Sequence, residues 1–217
     1  MPDLRFRVEG AEPVEFAAAP TLLLKLRVEE AAGEPIRSVS LATQVRIAAN
    51  QRAYTPDEQQ RRVDIFGEPH RWDTTLGSLL WTNVTTVIPP SVGSKLVDLS
   101  LACTYDFDVA TTRYFHALED GCVPLELLFS GAVFFSADAG LQVERIGWDK
   151  EARFDLPVEA WERAVQAVFP NAAWLRLPLD TFDRLASYRA RHALPSWEAA
   201  LDALLARQEQ EQELVSP

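Results

Sequence analysis

Apolar and polar residues alternate along the first two thirds of the chain with the period of two that marks β-strands with one buried face. The alternation, together with two continuous apolar runs, predicts strands over residues 4–8, 22–28, 36–48, 79–88, 97–109, 125–135, 141–144 and 152–156. The clearest run is 97–109, where seven apolar residues alternate with polar ones. The segments 79–88 and 125–135 are apolar on both parities, so they are predicted to be central strands covered on two faces.

One helix interrupts this series of strands. Residues 55–58 read Thr-Pro-Asp-Glu, a capping box with proline at the first helical position, and Gly67 is placed to end the helix after Phe66. Few residues between Pro56 and Phe66 are apolar. The pattern therefore predicts a polar helix that lies on the surface between strands.

The period becomes helical in the last third of the chain. Apolar residues spaced three and four apart predict a helix from residue 158 that ends before Pro170, and a second helix begins near Asp180. A third helix is predicted after Ser196, its N-cap, with a full apolar stripe that starts at Trp197. The polar, acidic tail 208–217 is predicted to fray.

Strands that precede helices without βαβ alternation indicate an α+β fold. We expect an antiparallel β-sandwich or curled sheet of seven or eight strands, with one inserted surface helix and a C-terminal helical segment. The predicted domains are a β-rich domain over 1–156, helices over 157–207 packed on it, and the frayed tail.

Composition narrows the range of partners. The chain has 217 residues, of which 47% are hydrophobic, and a net charge of −11. This charge repels nucleic-acid phosphates and anionic lipid, so neither nucleic acid nor membrane is an expected partner. There is no apolar run of about 20 residues and no signal-peptide core near the N-terminus. A cytoplasmic protein is therefore expected.

Two cysteines and three histidines, all in different predicted elements, make a metal centre unexpected. Cys103 lies on the apolar parity of its strand, which favours a buried thiol over a disulfide with Cys122. No cofactor is expected either, because the dinucleotide, phosphate-loop, zinc-protease and serine-hydrolase motifs are all missing.

The acidic residues do not single out a catalytic group. Asp98, Asp106 and Asp108 share one strand parity, which fits a solvated strand face better than a cation site. Glu119 and Asp120 precede Gly121, as acids in turns often do. No catalytic residue is nominated.

Six tryptophans supply candidate anchors for a protein interface. Four of them, Trp81, Trp148, Trp161 and Trp197, are expected in the core. Trp72 and Trp174 fall in loop-like segments beside Arg71 and Arg176, the composition of an interface anchor. His116 follows two aromatic residues in a short helical stretch and is expected to be a packed or surface residue, so we add it to this candidate interface.

Four strings resemble an uncharacterised family of bacterial proteins of roughly 200 residues, mainly actinobacterial. They are YFHALEDG at 114–121, PLELLFSG at 124–131, WDKE at 148–151 and FPNAAWLRL at 169–177. The resemblance covers nearly the whole chain and implies a genomic context, beside nickel–iron uptake hydrogenases and their maturation proteins. The partners that it implies are hydrogenase subunits or maturation factors. The chain lacks the cysteines of either hydrogenase subunit, and its strand-first order differs from the α/β maturation protease.

A second resemblance is to the export chaperone SecB, which is also acidic and also places antiparallel strands before helices. Residues 175–185 are similar to the run that leads into the last helix of that chaperone. The helix predicted after Thr55 has no counterpart there.

These observations predict a non-enzymatic accessory, scaffold or assembly protein that acts through protein–protein contacts, with a nickel–iron hydrogenase as the implied client. Two alternatives stay open: a SecB-like client-binding chaperone, and an enzyme with a small-molecule pocket between sheet and helices. An enzyme should show a deep pocket with convergent polar groups, whereas an adaptor should expose an apolar patch.

Overall fold

The computed structural model describes residues 2–104, 106, 109–137, 140–168, 170–172 and 175–215, with side chains described as far as residue 210. The chain forms two compact units, Met1–Trp174 and Leu175–Pro217.

The first unit contains the strands and the shorter helices. Its strands are β1 (Leu4–Pro13), β2 (Thr21–Glu30), β3 (Ile36–Ile47), β4 (Leu79–Ile88), β5 (Ser94–Ala102), β6 (Cys122–Ala137), β7 (Gly140–Arg145) and β8 (Glu151–Pro157). Its helices are α1 (Pro56–Gln60), α2 (Val63–Phe66), α3 (Trp72–Thr75), α4 (Ala110–His116) and α5 (Val158–Gln166), and short 3₁₀ turns occupy Ala49–Gln51 and Pro69–Arg71.

The strands form two antiparallel sheets. Sheet A has the order β1-β2-β5, and sheet B has the order β4-β3-β6-β7, with β8 also paired to β6. Strands β7 and β8 follow each other along the same side of β6, because β6 pairs through residues 132–137 with β7 and through 122–128 with β8. The predicted α+β fold with antiparallel sheets is confirmed for the described residues.

The core lies between the two sheets, where the alternating pattern points its apolar residues. Leu22, Leu24 and Leu26 of β2 are fully buried, as is Leu41 of β3. The ring of Phe6 in β1 stacks on that of Phe129 in β6, with centroids 4.2 Å apart. Contacts of this kind between the inner faces of two sheets make the fold a sandwich.

The strand predicted over 97–109 is wrong beyond residue 102. The backbone N–H of Cys103 still donates to the carbonyl of Pro20, and beyond it Asp106 forms only an isolated bridge. Thr104 then turns the chain: its hydroxyl accepts from the N–H of Asp106 (3.1 Å), and its carbonyl accepts from the hydroxyl of Thr112 (3.0 Å). These local bonds replace a ladder and lead into α4. Tyr105, Phe107 and Asp108 lie outside the described residues.

The helix predicted over 56–66 is two helices, α1 and α2. Its capping box is confirmed: Thr55 Oγ1 accepts from the N–H of Glu58 (3.1 Å), and the Glu58 carboxylate accepts from the N–H of Thr55 (3.0 Å). Gly67 ends α2 at a φ of 74°. The two helices lie at the surface, with Asp57, Gln60 and Arg61 exposed, but the burial of Glu58 (2% exposed) and Arg62 (0% exposed) on their inner face was not predicted.

Strand β4 is not the central strand that its apolar run predicted. It pairs with β3 alone and forms an edge of sheet B, with Leu80 and Val87 exposed on the outer face. Strand β6 does lie centrally, between β3 on one side and β7 with β8 on the other. Both cysteines are free, and Cys103 is buried as predicted.

The second unit is a helical hairpin of α6 (Leu179–Arg191) and α7 (Trp197–Val215). Ser196 caps α7 as predicted, its hydroxyl accepting from the N–H of Ala199 at 3.1 Å. The division between the units falls at 174/175 and not at 156/157, because α5 packs on β1 and β2. Helix α7 continues to residue 215, through most of the segment predicted to fray. Within the described chain, no helix combines the length and apolarity that crossing a bilayer requires.

Candidate interaction surfaces

Trp72, the first predicted anchor, lies in α3 within the long connection between β3 and β4. Its indole is half-buried and donates from Nε1 to the carbonyl of Gly67 at 2.8 Å. The ring meets Tyr54 and Phe66 edge-on, at centroid distances of 5.6 and 6.1 Å. The fold therefore holds Trp72 in place from one side, and its role as an interface anchor stays a prediction.

The other predicted interface residues are divided between the two units. Arg71 is exposed next to Trp72, and His116 ends α4 with its ring edge-on to Trp161 at 5.3 Å. Burial lowers the pKa of His116, which favours the neutral ring at neutral pH. Arg176 is exposed in the second unit, and Trp174 lies outside the described residues.

A buried arginine lies beside Trp72 and was not predicted. The guanidinium of Arg62 is 4.0 Å from the ring centroid of Tyr54 and 5.2 Å from that of Tyr114. Its Nη1 donates to the carbonyl of Glu58 at 2.9 Å. Burial lowers the pKa of Arg62 and raises the pKa values of both tyrosines, whose hydroxyls hydrogen-bond each other at 2.9 Å. The two tyrosines stay neutral around the stacked guanidinium of Arg62, so we interpret these three side chains as a structural cluster.

The carboxylate of Glu58 completes that cluster and fastens it to β6. It accepts from Arg52 Nη2 at 2.9 Å and from the backbone N–H of Glu119 at 3.1 Å. Arg52 also donates to the carbonyls of Asp120 (2.6 Å) and Cys122 (3.0 Å). The segment between β3 and β4 is thereby tied to the turn that opens β6.

The carboxyl groups with shifted pKa values are ion-paired or bound by backbone amides. A hydrogen bond from Lys150 lowers the pKa of Asp3, and one from Arg27 lowers that of Glu9. Burial opposes ionisation of Glu30, but the backbone N–H groups of Glu34 and Asp3 outweigh it and lower its pKa. A general acid needs a raised pKa instead. The described residues hold no cluster of three or more His, Cys, Asp or Glu side chains that could bind a metal ion.

The described residues line several cavities. One of about 290 Å³ lies against β3, β4 and β6 and is lined in part by Thr43, Gln44 and Asn83. Another, of about 520 Å³, lies on the helical hairpin, where Arg184 and Tyr188 contribute to its wall.

The helical hairpin leaves large apolar side chains uncovered. On α7, Leu201, Leu204 and Leu205 are 43%, 39% and 59% exposed, and their spacing puts them on one helix face. On α6, Leu179 and Phe182 are 73% and 42% exposed. We call these five residues the hairpin stripe.

The two helices hold each other mainly at one end. Phe182 packs against Trp197 with ring centroids 5.2 Å apart, and the guanidinium of Arg189 lies 4.0 Å from the centroid of Trp197. Among the described residues of this unit, only Ala200 is fully buried. The hairpin therefore pairs its helices without covering the stripe.

A second apolar area lies at β7. Leu141 and Val143 are 65% and 59% exposed, and Phe134 lies opposite Val143 on β6. Trp148, expected in the core, is 96% exposed. That expectation is wrong because the chain leaves the sheet edge between β7 and β8, in a turn closed by the N–H of Lys150 and the carbonyl of Gly147. Phe134, Leu141, Val143 and Trp148 form what we call the β7 surface.

Comparison with known proteins identifies a family. The model of DUF6084, a family of unknown function, matches residues 1–213. The chain belongs to DUF6084. This confirms the expectation that the chain belongs to a family of unknown function, and no curated protein matches the DUF6084 chain.

Solved structures similar to this DUF6084 chain are distant. The CARDB domain of the PF1109 protein from Pyrococcus furiosus, in complex with di-metal ions, is 13% identical, with 72% of this chain and 92% of that domain covered and a TM-score of 0.29. A β-glucosidase from Kluyveromyces marxianus is 11% identical (71% and 15% covered, TM-score 0.28). β-Glucosidase 3B from Thermotoga neapolitana, in complex with α-D-glucose, is 13% identical (71% and 17% covered, TM-score 0.24). At these values the similarities carry no conclusion about function.

Proposed function

We propose that this DUF6084 protein is a non-enzymatic accessory or assembly protein that acts through protein–protein contacts, with the hairpin stripe as its main contact. The observation that carries the proposal is the exposure of five large apolar side chains on a unit with little buried surface of its own. Two helices gain most of their stability from packing an apolar face, and an uncovered face of this kind marks an interaction site.

The proposed partners are hydrogenase subunits or maturation factors, in the cytoplasm. The support is the resemblance to proteins encoded beside nickel–iron hydrogenases. The predicted interface residues Arg71, Trp72, His116 and Trp174 are retained as a second proposed contact region, and Arg176 as a proposed contact of the second unit. Arg176 lies three residues before the first residue of the stripe, so one partner could contact both.

The experiment places a charge in the stripe. The double variant Leu201→Glu/Leu205→Glu should lose capture of purified hydrogenase subunits or maturation factors, because a buried unpaired carboxylate opposes docking. Ala206→Glu is the control, since it adds one of the two carboxylates at an exposed position on the opposite face of α7. Equal capture by the double variant and the control would contradict the proposal.

The melting curves of the same variants show whether the hairpin stripe is covered by a partner or by another part of the same chain. If the stripe is covered by a partner, the double variant should melt as the wild type does. If another part of its own chain covers the stripe, the double variant should unfold at lower temperature than Ala206→Glu, and the docking proposal would be wrong.

The exposed stripe also fits a client-binding chaperone. Such a protein would bind many unfolded chains and delay their aggregation, whereas an assembly protein would bind folded hydrogenase components. Aggregation assays with unrelated unfolded proteins, in the presence of the wild type and of the double variant, distinguish these roles.

A further inference from the structure

Strand β7 differs from the other outer strands because no second strand lies along its free edge among the described residues. At one side of the sandwich β4 lies against β5, and at another β8 lies against β1. Strand β7 pairs with β6, and no other strand lies along it in the described part of the chain.

The backbone groups on that free edge follow from the ladder. The N–H of Ile146 donates to the carbonyl of Gly131 at 3.0 Å, so the backbone N–H and C=O groups of Ile146 point towards β6. The direction of these groups alternates from residue to residue along an antiparallel strand, so the backbone groups of Gln142 and Glu144 also point towards β6. The N–H and C=O groups of Leu141 and Val143 therefore point away from the sheet, where they can pair with another strand.

Strand β7 carries little of the protection that exposed edges need. Native edge strands are blunted by lysine, proline, bulges or inward charges. Strand β1 has a bulge between Val8 and Gly10, and the pairing of β4 has one at Val45. The pairing of β7 has no register shift, and the strand contains neither proline nor lysine; its charged residues are Glu144 and Arg145 at the C-terminal end. Its exposed residues include Leu141 and Val143 instead.

We infer that β7 is a homodimer seam: two copies of the chain join their B sheets by antiparallel pairing of β7 with β7. This proposal is independent of the hairpin stripe. In the register that we assign, Gln142 lies opposite Gln142 of the other copy, and Leu141 lies opposite Val143.

The side chains favour this register over its neighbours. If the pairing shifted by one residue, the free backbone groups of Leu141 and Val143 would lie opposite residues whose backbone groups are already bonded to β6. Centring on Val143 would set Leu141 opposite Arg145, and centring on Glu144 would set two carboxylates together, which is unfavourable. Centring on Gln142 extends the apolar row from Phe134 and Val143 of one copy to Leu141 of the next. It also lets the two Gln142 amides hydrogen-bond each other.

The first test measures association of the full chain. Sedimentation equilibrium should show a dimer, and Leu141→Lys should weaken dimerisation at least tenfold while it keeps the wild-type circular dichroism spectrum. Val87→Lys is the matched control: it adds the same charge to a 69% exposed valine on the same sheet, and it should stay dimeric. A monomeric wild type, or equal effects of the two lysines, would overturn the proposal.

The second test reads the register by oxidation in a Cys122→Ser background, which leaves only the buried Cys103. Directly opposed residues of a non-hydrogen-bonded pair lie about 4.5 Å apart between Cα atoms, within disulfide reach. Gln142→Cys should therefore form a covalent dimer, and Val143→Cys should not. The reverse result would overturn the assigned register, and no cross-link in either would overturn the seam.

The hairpin-stripe variant distinguishes a failure of the β7 dimer proposal from a failure of the proposed function. Leu201→Glu/Leu205→Glu should remain dimeric if β7 is the seam. If it becomes monomeric while Leu141→Lys stays dimeric, the hairpin is the self-association surface and the β7 proposal is wrong. If the wild type is monomeric and Leu141→Lys loses capture of a hydrogenase component, a strand of another protein occupies the edge, which also overturns the homodimer.

Discussion

Arg62 shows how a charged side chain becomes part of the core. Its planar guanidinium lies 4.0 Å from the ring centroid of Tyr54 and reaches the carbonyl of Glu58 at the same time. A guanidinium can stack and donate in its plane together, whereas an ammonium is a strongly hydrated point charge. Arginine suits this position because its guanidinium can stack on Tyr54 and because a guanidinium is more weakly hydrated than an ammonium, so its burial costs less free energy.

We predict that Arg62→Lys lowers the free energy of unfolding by about 2 kcal/mol, because the stacking over Tyr54 is lost and the ammonium stays partly unsolvated. Urea denaturation measures this change. Arg61→Lys is the control, since Arg61 is partly exposed and pairs with Glu119 at the surface, where such pairs contribute roughly 0–1 kcal/mol. Similar losses in the two variants would show that stacking is not what Arg62 supplies.

At the scale of single residues, helix caps are easier to predict from the sequence than the burial of charged side chains. The Thr55 capping box is local and was found, because its residues are adjacent in the chain. The burial of Glu58 and Arg62 was missed, since it depends on Tyr114 and Glu119, which lie more than 50 positions later in the sequence. A Glu and an Arg four residues apart, close to Tyr54, were the available signal, but the same spacing occurs on many exposed helices.

Among the elements, β6 organises sheet B because its partner changes along its length. Gly131 lies at the change, between the part that pairs with β8 and the part that pairs with β7. Its φ is +133°, and an added Cβ would lie 1.9 Å from the carbonyl oxygen of Ser40 in β3. Only glycine allows the close approach of β3 at this point.

We therefore predict that Gly131→Ala costs at least about 3 kcal/mol of stability or prevents folding, since both the backbone conformation and the contact with Ser40 are violated. Gly10→Ala is the control, because no atom lies within 4 Å of the added Cβ and its φ is ordinary. Its effect should stay within about 1 kcal/mol. Soluble yield and thermal unfolding report both variants, and a stable Gly131→Ala protein would mean that β3 and β6 can separate locally.

Element type follows from the sequence more readily than element ends and neighbours. Among the described residues, the alternation located six of the eight strands, continuous apolar runs located β4 and β6, and the helical period located α5, α6 and α7. The alternating pattern extended the predicted strand past residue 102, because the polar Thr104 fits the alternation. In the structure the hydroxyl and carbonyl of Thr104 make local hydrogen bonds instead. The sequence pattern also placed β4 in the centre of a sheet, since apolar residues on both parities do not reveal which strands will lie beside them.

For the whole molecule, the hydrophobic core belongs to the first unit. Every residue of the buried apolar cluster between the sheets, and every partly buried residue packed on it, precedes residue 174. The exposed hairpin stripe belongs to the second unit, and the β7 surface to the first. The sequence predicted a separate helical segment, but it could not predict the exposed Trp148 or the free edge of β7, which depend on how the strands are ordered.

The division predicts that a chain ending at Trp174 folds without the hairpin. Its cooperative unfolding should have a midpoint within about 3 °C of the full chain, because the core between the sheets loses no residue. The shortened chain should also remain a dimer, since it keeps β7, and should lose capture of the hydrogenase components, since it lacks the stripe. Calorimetry, sedimentation and capture on the same preparation check these three outcomes. A midpoint lowered by more than about 10 °C would show that the hairpin supports the sandwich, and a monomer would place the seam in α6 and α7.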